Sequence, residues 1–109
     1  MKLAIIGSRD ITEIDIGKYI PQGVTEIVSG GAKGIDSLAK KHALGRNIKY
    51  TEFLPEYTKY RKGAPLKRNR AIAEYADACL AFWDGKSKGT KHTIELFRAL
   101  EKNVLVISI

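Results

Sequence analysis

The sequence predicts an α/β domain: a single three-layer Rossmann-like unit of about five mostly parallel strands, with helices on both faces. Short apolar runs alternate with segments of helical spacing along the whole 109-residue chain. Three of those runs, "LAII", "DACLAFW" and "VLVISI", are continuous, as strands are when both sheet faces are covered. The length suits one domain spanning residues 1–109, and no repeat, linker or low-complexity segment interrupts it.

Each element follows from its local pattern. "LAII" (3–6) reads as a buried strand ending at Gly7. Ile14, Ile16, Tyr19 and Ile20 suggest a short helix over 12–20, stopped by Pro21. "TEIVS" (25–29) is a second strand. From Lys33 onward, Ile35, Leu38, Ala39, His42 and Ala43 recur at helical spacing, and Gly45 makes a natural stop. "IKYTEF" (48–53) alternates as a third strand. "LPEYTKYRKGAPLKRN" (54–69) is an ordered, basic and aromatic loop leading into a helix from about Pro65 to Ala76. Proline suits a first helical turn, where its missing N–H would have had no partner. "DACLAFW" (77–83) is a fourth strand and "DGKSKG" a loop. Thr90 to Lys102 form a helix with Ile94, Phe97 and Leu100 on its apolar side, and "VLVISI" is the fifth strand.

Nineteen Lys and Arg against 12 Asp and Glu give a net charge of +7. That balance favours polyanions or small phosphorylated ligands through attraction and steering, or it marks only a solvated basic face. No apolar stretch approaches the roughly 20 residues that span a bilayer, so no membrane partner is expected. The first apolar run is too short for an export signal, which makes a cytoplasmic protein the expectation. Cys79 stands alone in an apolar run and reads as a small core residue, and no Cys/His cluster suggests zinc. Neither a metal nor a cofactor is expected.

In sheets of this class the ligand sits outside the carboxyl ends of the strands, where every βα loop opens. The loops on that edge are Gly7-Ser8-Arg9-Asp10, then Ser29-Gly30-Gly31-Ala32-Lys33-Gly34. Pro55, Glu56 and Tyr57 follow with the basic segment to Arg70, and then Trp83, Asp84, Lys86, Lys88, Gly89 and Thr90. Two of these loops place glycine directly before a helix, where free N–H groups and the helix dipole suit an anion. Gly30 and Gly31 let the backbone curl without Cβ clashes. "EIVSGGAKGID" (26–36) therefore reads as an anion cradle rather than a bare turn, although close helix–strand packing also calls for small residues. Neither a Walker loop nor G-x-G-x-x-G occurs.

"IIGSR", "VSGGAKGID", "KRNRAIAEYAD" and the late "KGT" resemble, in that order, the SLOG superfamily of Rossmann-like domains. That group includes the DNA-processing protein DprA/Smf and the LOG phosphoribohydrolases. The second and third motifs look closest to DprA/Smf, while the short single-domain layout looks more like the small YspA-like branch. The resemblance implies a nucleotide-related ligand over the glycine-rich loops. Matched residue by residue, it implicates Gly7, Ser8 and Arg9 in the first loop, with Gly30, Gly31, Gly34 and Asp36 in the second. Arg68, Asn69 and Arg70 match at the basic helix, and Gly89 and Thr90 at the last loop; Ser29 joins them at the end of its strand. Family habit also implies a homodimer, which the aromatic loop could serve.

Several of these residues have two roles open. Asp36 is a ligand contact or an acid stabilised by the helix dipole. Arg68 and Arg70 differ by about 200° around a helix, so one faces the ligand and the other a partner or polyanion. Tyr57, Tyr60 and Trp83 stack on a base or anchor loops. His42, among apolar positions of its helix, is structural.

Three functions fit this constellation. The first is binding of a nucleotide or nucleotide-derived ligand by a sensor or carrier module, which the glycine loops favour. The second is nucleoside monophosphate hydrolysis of LOG type, which needs a carboxylate near the anomeric carbon. The LOG pattern PGGxGTxxE places that acid three residues after threonine; here Thr93 stands there, leaving Glu56 and Asp84 as weak catalytic candidates. The third is binding of single-stranded nucleic acid as in DprA, through Lys59, Arg61, Lys62, Lys67, Arg68 and Arg70 interleaved with Tyr57 and Tyr60.

Overall fold

The computed structural model describes residues 1–109, which form one five-stranded sheet in the order β3-β2-β1-β4-β5. The strands are β1 (Lys2–Gly7), β2 (Glu26–Ser29), β3 (Lys49–Glu52), β4 (Ala78–Trp83) and β5 (Asn103–Ser108), and every pairing is parallel. Helix α1 (Ile35–Gly45) covers one face; α3 (Ala64–Tyr75) and α4 (Lys88–Ala99) cover the other. The four-residue α2 (Tyr57–Tyr60) precedes α3. No helix is long and apolar enough to cross a membrane.

Strand alternation divides the core in two. Leu3 and Ile5 of β1 pack with Ile27, Ile35, Ala39 and Phe82 beneath α1. Ala4 and Ile6 face the other way, against Ile72, Ala73, Ile94 and Phe97. The alanines on that second face hold α3 and α4 close to the sheet, and the buried Phe97 fills the space between them. Cys79 is buried in the same layer, where desolvation raises its thiol pKa well beyond the ordinary range.

The expected helix over 12–20 reduces to a 3-10 turn, Ile16–Tyr19. Asp15 supplies no capping bond, and Gly17 and Pro21 lie too close together for a longer helix. Ile16 is nevertheless buried beneath α1, and Tyr19 meets Phe82 edge-on at 5.6 Å. Helix α1 ends at Gly45, as expected, and beyond it Asn47 turns left-handed (φ 55°), letting Ile48 N–H reach the Ala43 carbonyl at 2.9 Å.

The same device ends α4 at Ala99 rather than at Lys102: Glu101 is left-handed (φ 58°), and Lys102 N–H donates to Phe97 O at 3.0 Å. The Lys102 ammonium then donates to the carbonyls of Ala73, Glu74 and Ala76 at 2.8, 3.0 and 2.8 Å. It thereby satisfies the acceptors left open at the end of α3 and sits at the negative end of that helix.

On the edge of the sheet remote from the βα loops, Glu26 is buried with its carboxylate accepting from Thr51 Oγ1 at 2.6 Å and from the Tyr75 hydroxyl. Lys49 approaches it at 3.5 Å. Burial alone would raise this carboxyl's pKa, but the two hydroxyls and the lysine outweigh burial and hold it below 4.5. Its stabilisation is therefore complete above the unfolded-state value and disappears as pH falls through the folded-state value. Glu26→Gln should cost about 1–3 kcal/mol at pH 7, and its unfolding free energy should fall less steeply than the wild type's below about pH 4.5. Urea melts at several pH values check this; parallel acid limbs for the two proteins would contradict it.

Candidate functional site

From β1 the chain moves across the sheet to β2 and β3; from β4 it moves the opposite way to β5. The loops after β1 and β4 therefore part, although Gly7 and Phe82 are still in register and Ser8 N–H reaches Phe82 O at 3.3 Å. Above that point opens a cleft of about 520 Å³. Its walls come from the β1 loop (Gly7 to Asp10), the β2 loop with the start of α1 (Gly30, Ala32, Asp36) and α3 (Pro65, Arg68, Asn69, Ile72). The β4 loop and the start of α4 close it (Asp84, Lys86, Ser87, Gly89, Thr90, Thr93). Ser8 lies at the base, 6% exposed; its Oγ makes no hydrogen bond within 3.5 Å, although the hydroxyl is near enough to the Asp84 carboxylate to help lower its pKa. A buried hydroxyl left open in a polar cleft marks a place for a ligand or water oxygen.

The β4 loop is locked by its own side chains. Asp84 accepts from the N–H groups of Lys86 and Ser87, each at 2.8 Å, and these bonds lower its carboxyl pKa. Trp83 Nε1 donates to Ser87 O at 3.0 Å. Ser87 Oγ caps α4 by accepting from Thr90 N–H at 3.4 Å. Trp83 is thus a loop anchor.

The glycines of 30–34 serve packing more than they serve a backbone cradle. Gly34 has φ 71°, and a Cβ there would lie 2.5 Å from the carbonyl oxygens of Ser8 and Arg9. The first and second βα loops touch backbone to backbone at this point, which only glycine permits. The nearby N–H groups turn inward: Ile35 N–H to Ser8 O at 3.4 Å and Ala32 N–H to Asp36 Oδ2 at 3.1 Å. Burial raises the Asp36 pKa, opposed by the Ala32 N–H and the charge of Arg68. At Gly30 the volume of a Cβ is taken by the Arg68 guanidinium, with Nη1 2.4 Å from where that atom would stand.

Arg68 is held on three sides. Its Nη1 donates to Gly30 O at 2.8 Å and Phe53 O at 3.4 Å, and its Nε donates to Asn69 Oδ1 at 2.9 Å. Asn69 is itself buried, with its Nδ2 3.4 Å from His92 Nδ1 on α4. The Arg68 Nη2 donors have no partner in the chain. Partial burial lowers its pKa, which the nearby Asp36 opposes. A guanidinium so far above neutrality stays charged regardless. The arrangement presents a fixed, half-desolvated cation to the cleft.

The sequence profile of the DNA recombination-mediator protein A family matches residues 1–56, half of the chain, including the glycine-bearing loops after β1 and β2. The chain belongs to the DNA recombination-mediator protein A family. A Gene 61 protein from Mycobacterium phage D29 is 33% identical over 78 residues, covering 66% of this chain and 62% of the phage protein. The chain therefore spans less than two thirds of that relative's length. No solved structure matches. The match falls on the DNA-processing side of the resemblance seen in the sequence, not on its small YspA-like branch.

Of the expected site residues, Gly7, Ser8, Arg9, Gly30, Asp36, Arg68, Asn69, Asp84, Gly89 and Thr90 all line the one cleft. Five other expected site residues do not. Ser29 is fully buried beneath it, and Gly31 (φ 71°) packs on Glu52 and Leu54. Gly34 lies behind the wall it permits. Arg70 turns away from the cleft and pairs with Glu74 at 3.4 Å, and both Arg70 and Glu56 line a separate recess beside α3. Thr93 does line the cleft, its Oγ1 turned to Gly89 O at 3.0 Å. Sequence reasoning missed Asp10, Ala32, Pro65, Lys86 and Ser87 as lining residues, although loop membership alone pointed to Asp10, Ala32 and Lys86.

Gly34→Ala should cost about 2 kcal/mol or more, because the new methyl meets backbone in a left-handed conformation. Gly89→Ala, where a Cβ meets nothing within 4 Å, should be neutral or slightly stabilising. Thermal melts of the two variants check this, and equal losses would contradict the packing role given to Gly34.

Proposed function

We propose that this chain binds single-stranded nucleic acid, seating one nucleotide in the cleft and carrying flanking phosphates on the cations of α2 and α3. The observation that carries this reading is Arg68: a pinned guanidinium with free donors at the wall of a polar cleft, next to an open basic surface. Only two ion pairs form in the whole chain, Lys49–Glu26 and Arg70–Glu74, so Lys59, Arg61, Lys62 and Lys67 are unneutralised. Unpaired cations beside exposed Tyr57 and Tyr60 suit the phosphates and bases of a flexible strand. The family assignment points the same way. Such a ligand is met in the cytoplasm, the setting expected from the sequence.

A small nucleotide bound by a sensor or carrier module is the second reading. It is favoured by the buried, open Ser8 Oγ and by a cleft volume within the range of small-molecule sites. It loses ground because packing accounts for Gly30 and Gly34, on which the anion cradle rested. Hydrolysis of LOG type has less support, since Thr93 occupies the position of the expected acid and Asp84 is committed to its own loop.

Binding of a fluorescent oligothymidylate at several salt concentrations tests the proposal. The logarithm of affinity should fall with the logarithm of salt with a slope steeper than about −2, or about three phosphate contacts at 0.7 each. Arg68→Ala should lose about 1.5–3 kcal/mol. Arg70→Ala, already paired and exposed, should lose little and reduce the slope by at most about 0.7. A shallow slope with tight mononucleotide binding would favour the small ligand instead.

A further inference from the structure

Helix α3 separates two concavities. Pro65, Arg68, Asn69 and Ile72 face the cleft, whereas Ala64, Lys67, Arg68 and Ala71 face a second recess of about 320 Å³. Only Arg68 lines both. Phe53, Leu54 and Tyr60 supply the apolar and aromatic part of the recess, and half of its ten lining residues are hydrophobic. The cleft is more polar, with three hydrophobic residues among 18. Lys67, Arg68 and Arg70 line the recess together with two carboxylates, Glu56 and Glu74, the second paired with Arg70. Lys59 and Lys67 lie 5.1 and 5.7 Å from the centre of the Tyr60 ring, which leaves the rim cationic on balance. Leu54 and Tyr60 are 59% and 37% exposed, so the recess is open to solvent.

We infer that this recess is a second nucleotide subsite, taking the base of the residue next to the one seated in the cleft. The inference rests on the single-strand reading above. A phosphodiester bridging the two concavities must cross α3 at Arg68, whose Nη2 donors are free, while its other three are tied to Gly30, Phe53 and Asn69. The base then lies against Tyr60 and Leu54, and the next phosphate meets Lys59 or Lys67. Apolar and aromatic walls with a cationic rim suit a planar base on a charged backbone, and stacking is tolerant of base identity. Arg68 is thus the residue that reads a dinucleotide step.

The test compares thymidine 5′-phosphate, the 5′-phosphorylated dinucleotide pTpT and the same dinucleotide lacking its second base, as competitors of a fluorescent oligothymidylate. The wild type should bind pTpT roughly tenfold more tightly than either of the other two. Ala71→Phe, which fills the recess from within α3, should abolish that advantage while leaving the mononucleotide affinity unchanged. Tyr60→Ala, at a surface position whose loss spares the core, should reduce the advantage by itself. The subsite is overturned if pTpT gains nothing from its second base, or if the gain survives either variant. If the wild type binds no oligothymidylate at all, the single-strand reading fails and the subsite fails with it.

Discussion

The guanidinium of Arg68 occupies the space where any residue other than glycine at position 30 would place its Cβ. Much of the site depends on that contact. Bonds from Arg68 to Gly30 O and Phe53 O tie α3 to the loops after β2 and β3. Its neighbour Asn69 reaches across to His92 and so ties α3 to α4. On the other side of the cleft, Gly34 brings the second loop against the carbonyls of Ser8 and Arg9. Three loops and two helices thus converge on one cleft. Close backbone approach and one pinned cation hold them.

The electrostatics follow from the same geometry. Desolvation disfavours the charge on both Arg68 and Asp36, and each moderates the other through space without forming a direct ion pair. Partial burial strengthens the attraction of Arg68 for an incoming anion, because less water screens it. The cations of α2 and α3 lie further out, where they act chiefly on approach and on salt dependence. The cleft and its surroundings therefore differ in kind: one fixed charge inside, several solvated ones outside.

The parallel sheet and its ligand-bearing edge were legible because they rest on patterns that short sequence windows carry: continuous apolar runs, helical spacing and glycine at strand ends. Position on that edge, together with the family motifs, brought ten expected site residues to one cleft, half of them at strand ends or in loops and half on the helices that follow. What the sequence could not show was which partner makes a glycine necessary. Gly30, Gly31 and Gly34 look alike in "SGGAKG", yet one seats Arg68, one packs on Glu52 and Leu54, and one admits backbone. The end of α4 was misplaced for a related reason. Glu101 adopts the left-handed conformation that glycine usually takes, and the bond from Lys102 N–H to Phe97 O closes the helix at Ala99. The outward turn of Arg70 depends on Glu74, four residues on, and on the burial of Asn69 between the arginines.

The most direct test of the central claim is a map of backbone amide chemical shifts as a short oligothymidylate is added to the isotope-labelled protein. The account predicts the largest changes at residues 7–10, 30–36 and 86–90, with the Arg68 side-chain N–H signals moving in parallel. Amides around Glu26 and Asp77, at the amino-terminal edge of the sheet, should remain still. Changes centred on that remote edge, or none at saturating oligonucleotide, would contradict it.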